Sequence, residues 1–286
     1  MNKIWQKLQK ELSEIKKIAK CEVFGKSELG SDLLSYTLGE GDDNVILVQG
    51  AIHAREYITS FLCVELVKYL SNFSFDGKIV FVPLMNPDGV RICLCGAKFI
   101  KDKKRRKLIE SILKHSDKKL FKANANGVDL NVNFDCFWGE GKKNSRLMPS
   151  AENYIGKCPN SESEVKSLIS LTKKVCPKVT LSFHSKGKVF YYGFLCQSKE
   201  TLEKQKEYIK IIEEENHYKP IFTKNSSGGY KDYCLMKLNI VGFTIEVGDD
   251  SLCHPIGLKH LKEIFRENKD IVLKLLKKGK VKCKTL

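Results

Sequence analysis

Four side chains in this sequence have the types and spacing to bind a metal ion and move a proton. In H-A-R-E-Y, His53 and Glu56 stand three positions apart. At the start of a helix that spacing turns an imidazole and a carboxylate towards one side, where both can ligate one ion. Alone the pair is a weak signal, because a surface histidine near a helix start gives the same pattern. His184 is different in kind. It follows the apolar run V-T-L-S-F and precedes Ser185 and Gly187, so it ends a buried strand and faces a loop. Two histidines and one carboxylate make an open zinc site, which activates water and polarises a carbonyl. Amide hydrolysis also needs a carboxylate that is not a ligand, to accept the water's proton and pass it to the leaving amine. Glu246 ends V-G-F-T-I-E, a strand too apolar to carry a carboxylate idly; the competing reading pairs it with one of the many lysines.

These residues need elements that hold them. Ile4, Trp5, Leu8, Leu12, Ile15 and Ile18 recur at helical spacing, predicting an amphipathic N-terminal helix over 1–20 that packs on the body. Residues 21–41 read as two short strands around a Gly-Ser turn. N-V-I-L-V-Q-G-A-I-H is a strand covered on both faces, followed by a helix from about Glu56 to Leu70. K-I-V-F-V-P-L-M is the next buried strand, closed by an Asn-Pro-Asp-Gly turn. A further helix starts with Ser161 and Glu164 as a capping box. K-V-T-L-S-F-H-S is again a strand, 200–217 a charged helix, I-V-G-F-T-I-E-V-G a strand, and 257–279 a closing helix. Strands alternate with helices without linker or repeat, so the expectation is one α/β domain over 1–286 with a largely parallel sheet. The distinctive residues fall at the carboxyl ends of successive strands, where open α/β sheets place their sites.

Charge and cysteines bound the partners and the compartment. The 286 residues carry a net charge of +16, which attracts anions such as nucleic acid, anionic lipid or a polycarboxylate; lysine-rich usage overall explains it equally well. Residues 98–122 are strongly basic, but no aromatic residues interleave the charges as base stacking requires. A solvated helical insertion is expected there, and no specific nucleic-acid partner. Eleven cysteines without regular spacing, no apolar leader and no membrane-length apolar run predict a reducing, cytoplasmic home.

The segments G-A-I-H-A-R-E, N-P-D-G-V, G-V-D-L-N, S-F-H-S-K-G and F-T-I-E-V-G, in this order, resemble the zinc carboxypeptidase family over about residues 20–275. The resemblance implies a three-layer α/β/α sandwich around a mixed, mostly parallel eight-stranded sheet, with one catalytic Zn2+. It implies that His53, Glu56 and His184 are the ligands and Glu246 the general acid/base. Arg55 matches an arginine that helps bind substrate, and Asn131 an asparagine that binds the substrate's terminal carboxylate. Lys122 stands where the family has an arginine for the oxyanion; it brings charge and donors but no planar fork.

Three departures shape the expected substrate. The arginine that should follow Asn131, the main partner of a free C-terminal carboxylate, is Val132. The substrate-capping tyrosine would fall near Lys224, with Tyr230 or Tyr233 as substitutes. Lys231 matches the base of the pocket that selects the side chain after the scissile bond, where a lysine favours an acidic group. Together with K-A-N-x-x-G-V-D-L-N, E-N-Y-I-G at 152–156 and S-G-G-Y-K-D at 227–232, these departures resemble a bacterial branch, the γ-D-glutamyl-diamino acid endopeptidases. The expected substrate is then an anionic murein peptide, cut between D-glutamate and meso-diaminopimelate. Alternatives are an ordinary metallocarboxypeptidase, a deacylase of related fold, or a metal-free peptide-binding module. Oligomeric state is not readable from the sequence.

Overall fold

The computed structural model describes residues 2–141, 145–194, 197–224, 226–276 and the backbone of 282–283. Helix α1 (Lys3–Ile15) starts on an Asn2 cap and buries Leu8, Leu12 and Ile15 on the body, as its periodicity predicts. Strands β1 (Lys20–Lys26) and β2 (Asp32–Glu40) pair antiparallel, and β3 (Val45–Gly50) follows as a fully buried strand. Helix α2 (Ile58–Leu70) leads through the short β4 (Phe73–Ser74) to β5 (Gly77–Val82).

The Asn-Pro-Asp-Gly segment is a helix start rather than a turn that closes a strand. Asn86 accepts the Gly89 N–H at 2.9 Å and Pro87 opens α3 (Pro87–Cys95). The basic insertion folds as α4 (Lys103–Lys114), which buries Ile109, bonds Glu28 through Arg105 and turns most of its other charges to solvent. Helix α5 (Ser163–Val175) has no capping box: Glu162 is its N-cap, without a side-chain cap bond, and Glu164 turns into a carboxylate cluster. Then come β6 (Val179–His184), β7 (Val189–Tyr192), α6 (Lys199–Asn216), β8 (Lys219–Phe222), α7 (Tyr230–Lys237) and β9 (Val241–Glu246). The closing helix is broken into α8 (Leu261–Asn268) and α9 (Ile271–Leu276), and its last expected residues, 277–279, lie outside the described ones. A final strand, β10 (Lys282–Cys283), pairs with β4.

Eight strands form one mixed sheet in the order β1-β2-β5-β3-β6-β9-β7-β8. Its centre, β5-β3-β6-β9, is parallel, while β1, β2 and the β7–β9 pairing are antiparallel. Alternation of side chains splits the core in two. Ile46, Val48, Ile79, Phe81, Leu181 and Phe243 pack with α1, α2 and α9 on one face. Val45, Leu47, Val80 and Val82 pack with α5 and α7 on the other. On β6 and β9 that second face carries Thr180, Ser182, His184, Gly242, Thr244 and Glu246, so the polar residues of these strands share one side.

Candidate metal centre and cleft

The three predicted ligands converge. β3 ends at Gly50, and Ala51 turns the chain through a left-handed φ of 51°, its N–H held by Thr59 Oγ1 at 2.7 Å. His53 then leads into a 3-10 turn, Ala54–Glu56, two residues before the regular helix expected there. Residues three apart eclipse on such a turn, which sets His53 Nδ1 3.0 Å from Glu56 Oε1. His184 arrives from β6, its Nδ1 3.0 Å from Glu56 Oε2 and 3.1 Å from His53 Nδ1. All three side chains are buried.

The arrangement fits a divalent ion. Ligands at roughly 2.0–2.1 Å from a tetrahedral zinc lie about 3.3 Å from one another, close to the spacing of these atoms. The outer partners point the same way. His53 faces Glu56 through Nδ1 and Asp129 Oδ1 through Nε2 at 3.2 Å. A neutral ring has one N–H to give and cannot satisfy carboxylates on both sides. A cation at Nδ1 with Nε2–H towards Asp129 removes the conflict. His184 Nε2 rests 3.3 Å from Ser182 Oγ, which in turn takes a hydrogen bond from Gln49.

Asp129, in G-V-D-L-N, is the residue that reading the motif as a family match left without a role. It is fully buried, with Oδ2 3.0 Å from Lys122 Nζ. Burial opposes its ionisation, but Lys122 and His53 outweigh that and hold the carboxyl well below the usual range. For Glu56 burial is again outweighed, by His53 and His184, and its pKa is likewise depressed. An acid inside a loop motif that otherwise buries apolar groups was the available signal.

Glu246 ends β9 directly opposite His184 in the parallel pairing. Burial raises its carboxyl to about 7; Glu56 adds to this, while His184, Lys122 and Arg55 oppose it. A carboxyl poised near neutrality beside the three convergent ligands is what a general base requires. His53, His184 and Glu246 open on a cleft of about 530 Å³, also lined by Lys122, Asn131, Val132, Tyr191, Lys224, Lys231 and Asp232.

The other predicted residues divide. Asn131 lines the cleft and anchors α7, its Oδ1 accepting the Tyr230 N–H at 3.0 Å. Lys231 lines it too, but bonded to Asp232 and Gly193 O. Tyr230 is a correction: fully buried, it packs on Phe134 and bonds Thr172 Oγ1 at 2.8 Å, away from the cleft. Tyr233 is buried against Phe134 as well, and the tyrosine that does line the cleft is Tyr191. Arg55 lies beside the cleft rather than in its lining, with Nη1 3.4 Å from both Glu152 Oε2 and Leu120 O.

Residues 1–270 match the family described as zinc carboxypeptidase, peptidase M14. The chain is 28% identical over 285 residues to gamma-D-glutamyl-L-diamino acid endopeptidase 1 of Lysinibacillus sphaericus, spanning 92% of this chain and 70% of that protein. Among solved structures it resembles carboxypeptidase A from Helicoverpa armigera, with TM-score 0.69 and 18% identity over 95% of this chain and 70% of the other. It also resembles murein-tripeptide amidase MpaA from Escherichia coli O157, with TM-score 0.58 and 21% identity over 90% and 91% of the two chains. At these identities the structural likeness carries the fold, a mixed eight-stranded α/β sheet.

Proposed function

The chain belongs to the zinc carboxypeptidase family, a family of metallopeptidases, and from that premise we propose that it cleaves the γ-D-glutamyl–meso-diaminopimelate bond of murein-derived peptides. His53, Glu56 and His184 would hold the zinc. Bound there, it supplies Lewis-acid activation of water and of the scissile carbonyl. Glu246 takes the proton from the attacking water and delivers it to the leaving amine. Lys122, oriented by Asp129, lines the cleft with its ammonium available to the developing oxyanion. Asn131 Nδ2 bonds no acceptor among the described residues, which leaves its donors for a substrate carboxylate.

The observation that carries the substrate is the set of side chains that line the cleft. Among the described residues no arginine lines it, and Val132 stands beside Asn131 where a C-terminal carboxylate would need a bidentate partner. Its cations are lysines, of which Lys122 and Lys231 are engaged by carboxylates, while Lys224 has no ion-pair partner among the described residues. The likeness to the Lysinibacillus enzyme, whose name specifies a γ-D-glutamyl-diamino acid bond, supports the same reading. The nine cysteines whose side chains are described are all free, which suits a reducing compartment and soluble peptide fragments as substrates. No helix among the described residues is long and apolar enough to cross a membrane.

Incubating the zinc form with L-Ala-γ-D-Glu-meso-diaminopimelate and with benzoyl-Gly-Phe decides the matter. Cleavage of the first at the γ-glutamyl bond is expected. Cleavage of the second alone ends the murein reading and leaves an ordinary carboxypeptidase.

A further inference from the structure

The positive charge of this chain is concentrated in one short segment, and that segment lies beside the most exposed apolar side chains. Residues 98–122 hold eleven lysines and arginines against three acidic residues, +8 of the chain's +16. Among the described residues only Arg105 and Lys122 of these eleven have an ion-pair partner. Two of the acids serve as caps, Asp102 accepting the Arg105 N–H and Asp117 the Lys119 N–H. On α4, Lys104, Lys107, Ser111 and Lys114 recur three and four apart and are exposed, on the side away from the buried Ile109. The result is a ridge of free ammonium groups.

The flank of α4 meets the loop that carries Leu147 and Met148. Ile112 and Pro149 converge on Gly127, where an added Cβ would lie 2.8 Å from the first and 3.1 Å from the second. The loop is pinned at both ends. The Arg146 N–H bonds Asn153 O at 2.9 Å, and the Ser150 N–H bonds Gly127 O at 3.0 Å. Between those anchors Leu147 and Met148 are 79% and 75% exposed, more than any other large apolar side chain among the described residues. Leu120, shortly after α4, is exposed as well. Adjacent apolar tips held in water by a fixed loop mark a contact surface.

The partner must meet both features. Nucleic acid would supply phosphates, but the aromatic residues of this segment cannot stack on bases: Phe121 is fully buried, and the Arg91 guanidinium covers the Phe99 ring at 4.0 Å. A phosphate polymer also gives Leu147 and Met148 no apolar medium to enter. An anionic bilayer offers phosphates at its surface and acyl chains just beneath. We propose that α4 and the 146–149 loop form a peripheral docking face for anionic phospholipid membranes. The lysine ridge lies on the headgroups, and Leu147 and Met148 enter the acyl boundary. Lys122 and Ser145, at the ends of the same two segments, line the cleft, so docking holds the cleft beside the lipid surface.

The test is co-sedimentation of the purified full chain with vesicles of phosphatidylglycerol and of phosphatidylcholine. Retention on the anionic vesicles alone, lost in high salt, is expected. The combined changes Lys104→Glu, Lys107→Glu and Lys114→Glu should weaken it by about a hundredfold or more, and Leu147→Ser with Met148→Ser by about fivefold or more. In Met148→Trp, indole emission should shift to the blue on anionic vesicles, beyond any shift of the unaltered chain. Equal retention on both kinds of vesicle, or on neither, overturns the proposal. So does binding that ignores the Leu147 and Met148 changes and is matched by duplex DNA, which identifies a general attraction to polyanions. None of these readouts involves the substrate, so the peptidase reading stands or falls separately.

Discussion

Among the described residues, two clusters bring three potential ligands within 4.8 Å of one another: the buried His53, Glu56 and His184, and a second of Glu28, Glu162 and Glu164, in which Glu28 is half-buried. Distance does not tell them apart, but the supply of hydrogen donors does. Around the carboxylate trio, Glu28 Oε1 accepts the Ser163 N–H and hydroxyl, and Glu28 Oε2 lies 3.4 Å from Arg105 Nη2. Glu162 Oε2 accepts the Asn124 and Asn126 amides at 2.7 and 2.8 Å, and Glu164 Oε1 the Glu28 N–H at 3.3 Å. These bonds tie the β1–β2 turn, α4 and the start of α5 together. In the histidine cluster, one ring lies between two carboxylates, and when neutral it has a single hydrogen that cannot satisfy both. Proximity of carboxylates thus marks a clamp when donors saturate it, and a metal site when they cannot.

The largest test of this contrast is His184→Ala, which should abolish stoichiometric zinc binding and lower turnover roughly a thousandfold or more, as read by metal analysis and a peptidase assay. Glu246→Gln should keep its zinc yet lose about 10²- to 10⁴-fold in kcat. The pH profile checks the same residue. A carboxyl raised to about 7 before metal binds is protonated, and useless as a base, below its pKa, so kcat/KM should rise with pH along an acid limb. The positive charge of bound zinc moves that limb to lower pH, and the Gln variant should lack it. Asp129→Asn should weaken zinc affinity about 10- to 100-fold in competition with a chelator. Lys122→Ala should reduce kcat by about tenfold or more, and an unchanged rate removes it from the mechanism.

Smallest is the effect at the other cluster. Burial, with the charges of Glu28 and Asp88, raises Glu164 to about 8. A carboxyl bound more tightly to its proton when folded stabilises the fold at low pH. That contribution is lost as pH rises from the unfolded value towards 8. Glu164→Gln should therefore leave activity intact and raise the melting temperature by a few degrees at pH 8 but not at pH 5.

The metal trio and Glu246 were legible because each ends or follows a strand whose apolar run announces it, and their register then follows from strand pairing. The charged and aromatic residues near α7 were less so. Y-K-D-Y contains four polar or amphipathic residues in a row, and only the helix phase, set by packing on β9 and β6, decides which enter the cleft. That phase buries Tyr230 on Thr172 and presents Lys231 with Asp232. Likewise S-E-S-E has the letters of a capping box, but a neighbouring loop with Asn124 and Asn126, distant in sequence, claims Glu162 and its neighbours instead. Strands β7 and β8 are short and only partly buried, so no long apolar run revealed them.

Zinc content, measured on the purified protein beside its His184→Ala and Glu164→Gln variants, bears most directly on the contrast between the clusters. One equivalent in the unaltered chain and in Glu164→Gln, with none in His184→Ala, is the predicted outcome. A full equivalent surviving in His184→Ala contradicts it.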